Sequence, residues 1–278
     1  AQGGAALSGV ISSQEEGNME GVVVSAGGEG ANFTVSVVSD AEGRYSFPRT
    51  HLPAGKYNVT IRAVGFDLAA PASSEVKASG TTSANLKLVK AKNLAAQLSS
   101  AEWMMSVNGT DKEKADFTYV TMSCNYCHTM DRIFMSKHTV ATLLPAMERM
   151  ARYYADGTAK SDDNRRGRAF NVQEPGREKM MHGTPNWPTS TNARQWTAEF
   201  VERNNLSAGR TTHPFALKRL PRPKGKATRV IITEYDMPTA GTVAHDMDID
   251  SKGVVWYTDE SDQLVGKFEA KTGKFTEI

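Results

Sequence analysis

SDAEGRYSF, residues 39–47, sets the pattern of the first third of the chain. Asp40-Ala41-Glu42-Gly43 is a turn sequence, and the residues on both sides of it alternate between apolar and polar, with FTVSV at 33–37 and RYSF at 44–47. Alternation with a period of two places every second side chain on one face of a strand, and Asp and Gly favour tight turns. The segment therefore predicts a strand, a turn and a second strand.

The same pattern continues on the carboxyl side of this segment. PAGK at 53–56 is a second turn sequence, and YNVTIRA at 57–63 follows it with Tyr57, Val59 and Ile61 on one predicted face. ANLKL at 84–88 is a further candidate strand. Short strands that are separated by frequent turns indicate a small antiparallel β-sandwich.

The residues of these motifs resemble those of the carboxypeptidase regulatory-like family, whose members are transthyretin-like sandwiches attached to many secreted bacterial proteins. The resemblance rests on SDAEGRYSF at 39–47 followed by LPAGKY at 52–57. It implies a structural or interaction module that has no chemistry of its own. The region agrees with this, because it contains one histidine, His51, and no cysteine.

From Asn93 to about Gly225 the apolar residues recur at helical spacing instead. Leu143, Met147 and Met150 are the clearest series, which ends at Asp156-Gly157, where glycine favours a helix stop. Pro145 falls inside the series and predicts either a helix start or a kink. We expect residues 157–194 to form a long loop and residues 195–204 to form a short helix.

CNYCH at 124–128 contains both cysteines of the chain. Covalent haem attachment needs two thiols about one helical turn apart, followed directly by a histidine that reaches the iron, and Cys124, Cys127 and His128 have that spacing. A structural disulfide, a zinc site and a thioredoxin-like redox pair are the alternatives. Zinc would need further ligands, and a redox pair would leave His128 unexplained. The motif predicts one covalently bound haem c.

The second axial ligand of such a haem is open among several residues. ERMARYY at 148–154 resembles the helix of compact monohaem cytochromes in which a methionine ligates the iron, and this resemblance implies Met150 as the ligand. Met147, His138, a more distant Met or His, and an open position are the alternatives, and either methionine could instead be a core residue. A thioether ligand would imply a relatively high reduction potential.

The last part of the chain alternates again. VIITEY at 230–235 is a predicted strand, and four more strands separated by short turns are predicted in the ranges 247–250, 254–258, 264–268 and 274–278. Four such strands are the content of one propeller blade. His245-Asp246, DSKG at 250–253 and WYT at 256–258 resemble blades of streptogramin-lyase-like propellers. One blade cannot close a ring, so we expect the chain to continue in nature or to pack on another chain.

These patterns predict a multidomain α+β fold with three parts. Residues 1–92 would form an N-terminal antiparallel β-sandwich, residues 93–225 a central, mostly α-helical cytochrome c domain, and residues 226–278 a C-terminal four-stranded propeller-blade-like sheet. No apolar run is long enough for a transmembrane helix. The first residues, AQGG, are typical of the end left by signal-peptide removal, and a bacterial periplasmic or extracellular location is expected.

The charge distribution favours a redox partner over a nucleic acid. The net charge is +2, but residues 101–226 carry 20 basic residues against 13 acidic ones. The basic residues are scattered and lack interleaved aromatic residues, which argues against nucleic-acid binding. A basic surface that offsets haem propionates and faces an acidic redox partner fits this pattern better. We therefore expect electron transfer with a partner such as a dehydrogenase or respiratory complex. The alternatives are a streptogramin-lyase-like propeller enzyme and a scaffold subunit of a larger redox assembly.

Overall fold

The computed structural model describes residues 4–120, 128–157, 190–239, 242, 244–259 and 264–278. Its described residues divide into two compact units. One unit joins residues 1–92 to residues 221–278, and the other is formed by residues 93–220. In the described part of the chain, no helix is both long and apolar enough to cross a membrane.

The first sheet is built around a single long strand, β1 (Ala5–Ser13). The strand order is β2-β1-β10-β7, and two further strands, β5 and β9, also pair with β1. The β1–β10 and β1–β9 pairs are parallel, so the sheet is not wholly antiparallel. The remaining bounds are β2 (Gly17–Asn18), β5 (Arg44–Pro48), β7 (Phe66–Leu68), β9 (Thr82–Ser83) and β10 (Leu86–Lys90).

The second sheet has five strands in the order β11-β4-β3-β6-β8, and all of its neighbours are antiparallel. Four of these strands come from the first third of the chain, whereas β11 comes from near residue 230. It pairs with β4 in a regular register from Ile231 opposite Val37 to Tyr235 opposite Phe33. The bounds are β3 (Val23–Gly28), β4 (Phe33–Val38), β6 (Gly55–Arg62), β8 (Ala72–Val76) and β11 (Ile231–Tyr235).

The strand–turn–strand prediction around residues 39–47 is confirmed. Asp40 closes the turn, because its Oδ1 accepts hydrogen bonds from the backbone N–H groups of Glu42 and Arg44 at 3.0 and 2.8 Å. Gly43 has a φ of +72°, a conformation that favours glycine. A methyl group at Gly43 would also lie 2.7 Å from the carbonyl oxygen of Ile11. Only glycine fits this turn without strain.

The alternation of β6 is also confirmed and explains how the two sheets pack. Tyr57 and Val59 are buried, whereas Asn58 and Thr60 between them are exposed. The buried side chains of both sheets form one apolar core, to which Leu7 and Phe47 of the first sheet and Val35 of the second contribute fully buried residues. The N-terminal β region is therefore the predicted β-sandwich.

The segment that precedes β11 is held against this sandwich. Arg222 donates from Nε to the carbonyl oxygen of Glu20 at 2.9 Å and forms an ion pair with Glu16. The backbone N–H of Gly225 donates to Oε1 of Glu20 at 2.8 Å. A methyl group at Gly21 would lie 2.3 Å from the carbonyl oxygen of Pro223, so only glycine permits this approach. Residues 221–235 thus form an integral part of the sandwich unit.

The third sheet is a simple antiparallel meander with the order β12-β13-β14-β15. Its strands are β12 (Ala244–Ile249), β13 (Val255–Asp259), β14 (Val265–Glu269) and β15 (Lys274–Glu277). Asp250 shapes the first turn, because its carboxylate accepts hydrogen bonds from the backbone N–H groups of Val254 and Lys252. These bonds lower the pKa of the Asp250 carboxyl, and the bond from Val254 has the largest effect. Tyr257 lies over Gly266, where an added methyl group would overlap the ring.

Residues 93–220 form the helical unit. Its described helices are α1 (Ser100–Ser106), α2 (Asp111–Val120), α3 (Asp131–Phe134), α4 (Val140–Gly157) and α5 (Ser190–Asn204). A capping box starts α1, because the Ser99 hydroxyl accepts from the backbone N–H of Glu102 and the Glu102 carboxylate accepts from that of Ser99. Helix α4 begins before Pro145 and continues through it to Gly157.

The predicted fold class is wrong. The part of the chain that the structure describes is mostly β, with three sheets and five helices, and 22% of it is helical. Among the described residues there is no helical cytochrome domain. The apolar spacing between Asn93 and about Gly225 led to an overestimate of helix, because residues 95–97 form only a 3-10 turn and residues 206–220 form no helix. An apolar spacing of four is compatible with a tight turn as well as with a helix. The loop predicted at residues 157–194 lies mainly outside the described residues.

Candidate haem attachment site

The predicted site lies between α2 and α3. Cys124 and Cys127 lie outside the described residues, and His128 is the first described residue after them. Nδ1 of His128 is 3.0 Å from the carbonyl oxygen of Thr129. A carbonyl oxygen only accepts hydrogen bonds, so Nδ1 is the donor, and in the neutral ring Nε2 then has the free lone pair. This is the tautomer in which a histidine can bind a metal through Nε2.

The residues directly after His128 are anchored. Met130 is 1% exposed, and its backbone N–H donates to the hydroxyl of Ser100 at 3.2 Å. The Thr129 hydroxyl donates to Asp131, the first residue of α3. These contacts connect the chain after His128 to the start of α1 and fix where it enters α3. The backbone carbonyl that orients the His128 ring therefore belongs to a well-held segment.

An aromatic cluster lies on both flanks of the motif. It consists of fully buried rings from four helices: Trp103, Phe117, Phe134 and Phe200. Phe117 precedes the motif and Phe134 follows it, and their ring centroids are 5.5 Å apart. Trp103 stacks on Phe134 at 5.5 Å, and Phe117 on Phe200 at 4.6 Å. The two chain ends that lead into and out of residues 121–127 are thus packed against each other.

The cluster contains one polar atom that lacks a partner. Nε1 of Trp103 is buried and has no hydrogen-bond partner among the described residues. A buried N–H group without an acceptor destabilises a protein by about 1–3 kcal/mol, and buried Trp N–H groups usually find one. The indole N–H is therefore an unsatisfied donor inside the aromatic cluster.

The three candidates for the second axial ligand that were named by residue lie on or before α4. Met147 is 7% exposed, and it forms a buried face of the helix together with Leu143 and Ala146. Met150 lies one turn further along the same face, and its side chain is not among those described. His138 precedes the helix, with Nδ1 3.2 Å from the hydroxyl of Thr142. Among the described side chains, no contact joins His128 to Met147 or His138.

The contacts of two polar side chains, His213 and Asn204, were not predicted from the sequence. His213 donates from Nε2 to the carbonyl oxygen of Phe134 at 3.0 Å and packs edge-on against Trp103 at 4.9 Å. It therefore holds the end of α3, and no motif around it signalled this role. Asn204 is fully buried and pairs with the backbone of Asn108 in both directions, at 2.8 and 3.1 Å. In the described part of the chain, no group of three or more His, Cys, Asp or Glu residues could hold a metal ion.

Comparisons with known proteins identify one part of the chain. No curated protein matches it. Solved structures that match include the Bacillus anthracis TIE protein, with 21% identity over 31% of this chain and 16% of that chain and a TM-score of 0.25. The family model of the carboxypeptidase regulatory-like domain matches residues 6–89. These residues include the turn at Asp40 and most of both sheets of the sandwich. Residues 6–89 are a carboxypeptidase regulatory-like domain.

Proposed function

We propose that the chain carries one haem c, bound through Cys124 and Cys127 with His128 as an axial iron ligand, and that it transfers electrons as a periplasmic or extracellular c-type cytochrome of a bacterium. The observation that carries this proposal is the CNYCH motif at 124–128, which uses both cysteines of the chain. The proton on Nδ1 of His128 supports it, because Nε2 is left to bind iron.

The residues around the motif fit such a group. Phe117 of α2 and Phe134 of α3, the helices on either side of the motif in the sequence, pack together in an apolar core. The N–H of Trp103, which has no partner among the described residues, would be a hydrogen-bond donor for a carboxylate of the haem. Bound haem would supply a one-electron iron couple. The role of the chain would be to fix the His128 ring, through the carbonyl of Thr129, and to exclude water from its apolar side.

For the second axial ligand we propose Met150, with Met147 and His138 as alternatives. Met147 is already packed in the buried face of α4, which fits a core residue. Met150 lies three residues after Met147 and seven residues before the end of the helix, within ERMARYY at 148–154, whose resemblance to the ligand helix of monohaem cytochromes supports the assignment. A thioether at this position would raise the reduction potential relative to a second imidazole.

We further propose that the β regions dock the protein to its redox partner. The carboxypeptidase regulatory-like domain at residues 6–89 supports this role. Its sandwich has an apolar core, and its described residues contain no group of three or more His, Cys, Asp or Glu that could hold a metal ion. The partner would be a dehydrogenase or a respiratory complex. The basic surplus of residues 101–226 would favour an acidic surface on that partner.

The haem is tested by producing the full chain with a cytochrome c maturation system and measuring its intact mass after denaturation. We expect the mass to increase by that of one haem, together with a pyridine haemochrome spectrum typical of two thioether bonds. Cys124→Ser and Cys127→Ser should each shift that spectrum, and the double variant should carry no covalent haem. Ser123→Ala is the matched control and should leave the haem in place. A denatured mass without haem would overturn the proposal, whether or not the two cysteines form a disulfide.

The axial ligand is tested on the same protein. Met150→Ala should abolish the methionine-to-iron charge-transfer band of the oxidised spectrum and lower the reduction potential. Met147→Ala should leave the band in place, although it should destabilise the helical unit because Met147 is buried. If the band persists in Met150→Ala and disappears in Met147→Ala, the assignment of the ligand is wrong while the haem proposal stands.

A further inference from the structure

We infer that β11 is the interface of a symmetric dimer in which the five-stranded sheets of two copies join edge to edge. β11 is the outermost strand of its sheet. In the described part of the chain, only β4 pairs with it, so its other edge carries free backbone groups. An unpaired edge of this kind is a template for another strand.

The backbone groups on the free edge can be identified from one hydrogen bond. The N–H of Asp236 donates to the carbonyl oxygen of Asn32 at 2.8 Å, in the same register as the β11–β4 ladder. Bonded and non-bonded pairs alternate along an antiparallel ladder. Ile232 and Glu234 therefore bond to β4, and the N–H and C=O groups of Ile231, Thr233 and Tyr235 point outwards.

This edge is not protected against strand addition. The strand, IITEY, contains no Lys and no Pro, the residues that most often block an edge; its one charged residue is Glu234, and the ring of Tyr235 packs on Phe268 of β14. Ile231 and Ile232 are 43% and 50% exposed, and Val230 directly before them is 41% exposed. Exposed apolar side chains therefore lie next to the unpaired backbone of β11.

The second copy is the occupant because the strand complements itself. In a twofold pair, residue i of one copy faces residue j of the other, and j faces i. Outward-pointing residues must also face outward-pointing residues for their hydrogen bonds to form, so the twofold axis passes beside a residue that faces its own copy. With Thr233 on the axis, Ile231 of one copy faces Tyr235 of the other, twice, and Thr233 faces Thr233. All outward-pointing groups then meet in one ladder. Aromatic–β-branched and Thr–Thr pairs are among the favourable cross-strand pairs.

This register places Ile232 opposite Glu234 of the second copy, which provides a matched pair of variants. The pair is non-hydrogen-bonded with respect to the dimer, so its side chains approach closely. Ile232→Glu creates two like-charge contacts, whereas Ile232→Lys creates two opposite-charge contacts. Because Ile232 is half exposed, neither change should disturb the fold.

The test is sedimentation equilibrium of the full chain over a range of concentrations. We expect the wild type to approach twice 30.2 kDa. Ile232→Glu should raise the dimer dissociation constant about tenfold, and Ile232→Lys should leave it unchanged or lower it. Thr233→Pro removes an outward N–H without removing a bond to β4 and should give a monomer. A wild type that stays monomeric at high concentration would overturn the inference, and so would equal effects of the Glu and Lys variants or a Thr233→Pro dimer.

Discussion

The docking of residues 221–226 on the sandwich can be measured with two glycine substitutions. Gly21 and Gly30 both have a positive φ, of +78° and +73°. A methyl group at Gly30 meets nothing within 4 Å, whereas at Gly21 it would lie 2.3 Å from the carbonyl oxygen of Pro223. Gly30→Ala therefore reports the backbone strain alone, and Gly21→Ala reports the strain together with displacement of the segment.

The size of the difference follows from the contacts that would be lost. An Ala in the left-handed conformation costs about 1–2 kcal/mol at either position. Displacing the segment also removes the Arg222 bond to Glu20, its ion pair with Glu16 and the Gly225 bond to Glu20. Each contributes about 0.5–1 kcal/mol net, since the groups are partly exposed. We expect Gly21→Ala to destabilise the sandwich unit by about 3–5 kcal/mol and Gly30→Ala by about 1–2 kcal/mol.

Amide hydrogen exchange followed by mass spectrometry is the assay, because it reports on β11 separately. The amides of Ile232, Glu234 and Asp236 bond to β4 and should be protected in the wild type and in Gly30→Ala. They should exchange faster in Gly21→Ala, because β11 follows the displaced segment directly. Unchanged protection of β11 in Gly21→Ala, or equal destabilisation by both substitutions, would refute the docking of this segment.

Three further predictions concern single buried side chains. Tyr45→Phe should cost about 1 kcal/mol, because the phenol donates to the carbonyl of Ala84 at 2.6 Å. Burial raises the pKa of Tyr45 from 10.0 to about 12, so wild-type stability should fall between these pH values as the unfolded chain ionises first, and alkaline denaturation should show a shallower fall in the variant. Asn204→Ala should destabilise the helical unit by about 2–3 kcal/mol in urea titrations followed by tryptophan fluorescence, because it leaves the backbone of Asn108 unpaired. Phe117→Ala should cost about 3–5 kcal/mol in the same assay, and a loss below 1 kcal/mol would show that the aromatic cluster does not stabilise the unit.

Local sequence signals predicted the local structure well. The turn at Asp40–Gly43 follows from a carboxylate that accepts two backbone N–H groups and a glycine at positive φ, both of which depend on neighbouring residues only. The alternation of Tyr57 and Val59 predicted the buried face of β6 for the same reason. The Ser99–Glu102 capping box is a similar local signal at the start of α1.

Contacts between distant residues could not be predicted in this way. The strand at 230–235 was expected from its β-branched residues, but nothing in its sequence specifies β4 as its neighbour. That pairing depends on Gly21 admitting Pro223 and on Arg222 reaching Glu16 and Glu20, contacts between residues far apart in the chain. The overestimate of helix has the same origin, because the apolar spacing from Asn93 to about Gly225 does not reveal where the chain forms a tight turn instead, as it does at residues 95–97.

At the candidate site, haem binding is predicted from the sequence motif, whereas the contacts around His128 come from the structure. CNYCH is a compact motif that can be recognised without a fold. The hydrogen bond of His128 to the next carbonyl is local, but the role of His213 at the end of α3 is not, since it depends on a loop that returns to Phe134. The choice among Met150, Met147 and His138 depends on three-dimensional distance, which spacing along a helix does not give.

The helical unit is inserted between β10 and β11, two strands of the same compact β unit. A single protease cut within residues 93–220 would therefore not release β11, because its pairing with β4 and the contacts of Arg222 are noncovalent and independent of the peptide bonds between them. A nicked chain should migrate as two fragments in a denaturing gel and as one particle in native chromatography. By the same reasoning, residues 1–92 and 221–278 expressed as separate polypeptides should assemble by fragment complementation.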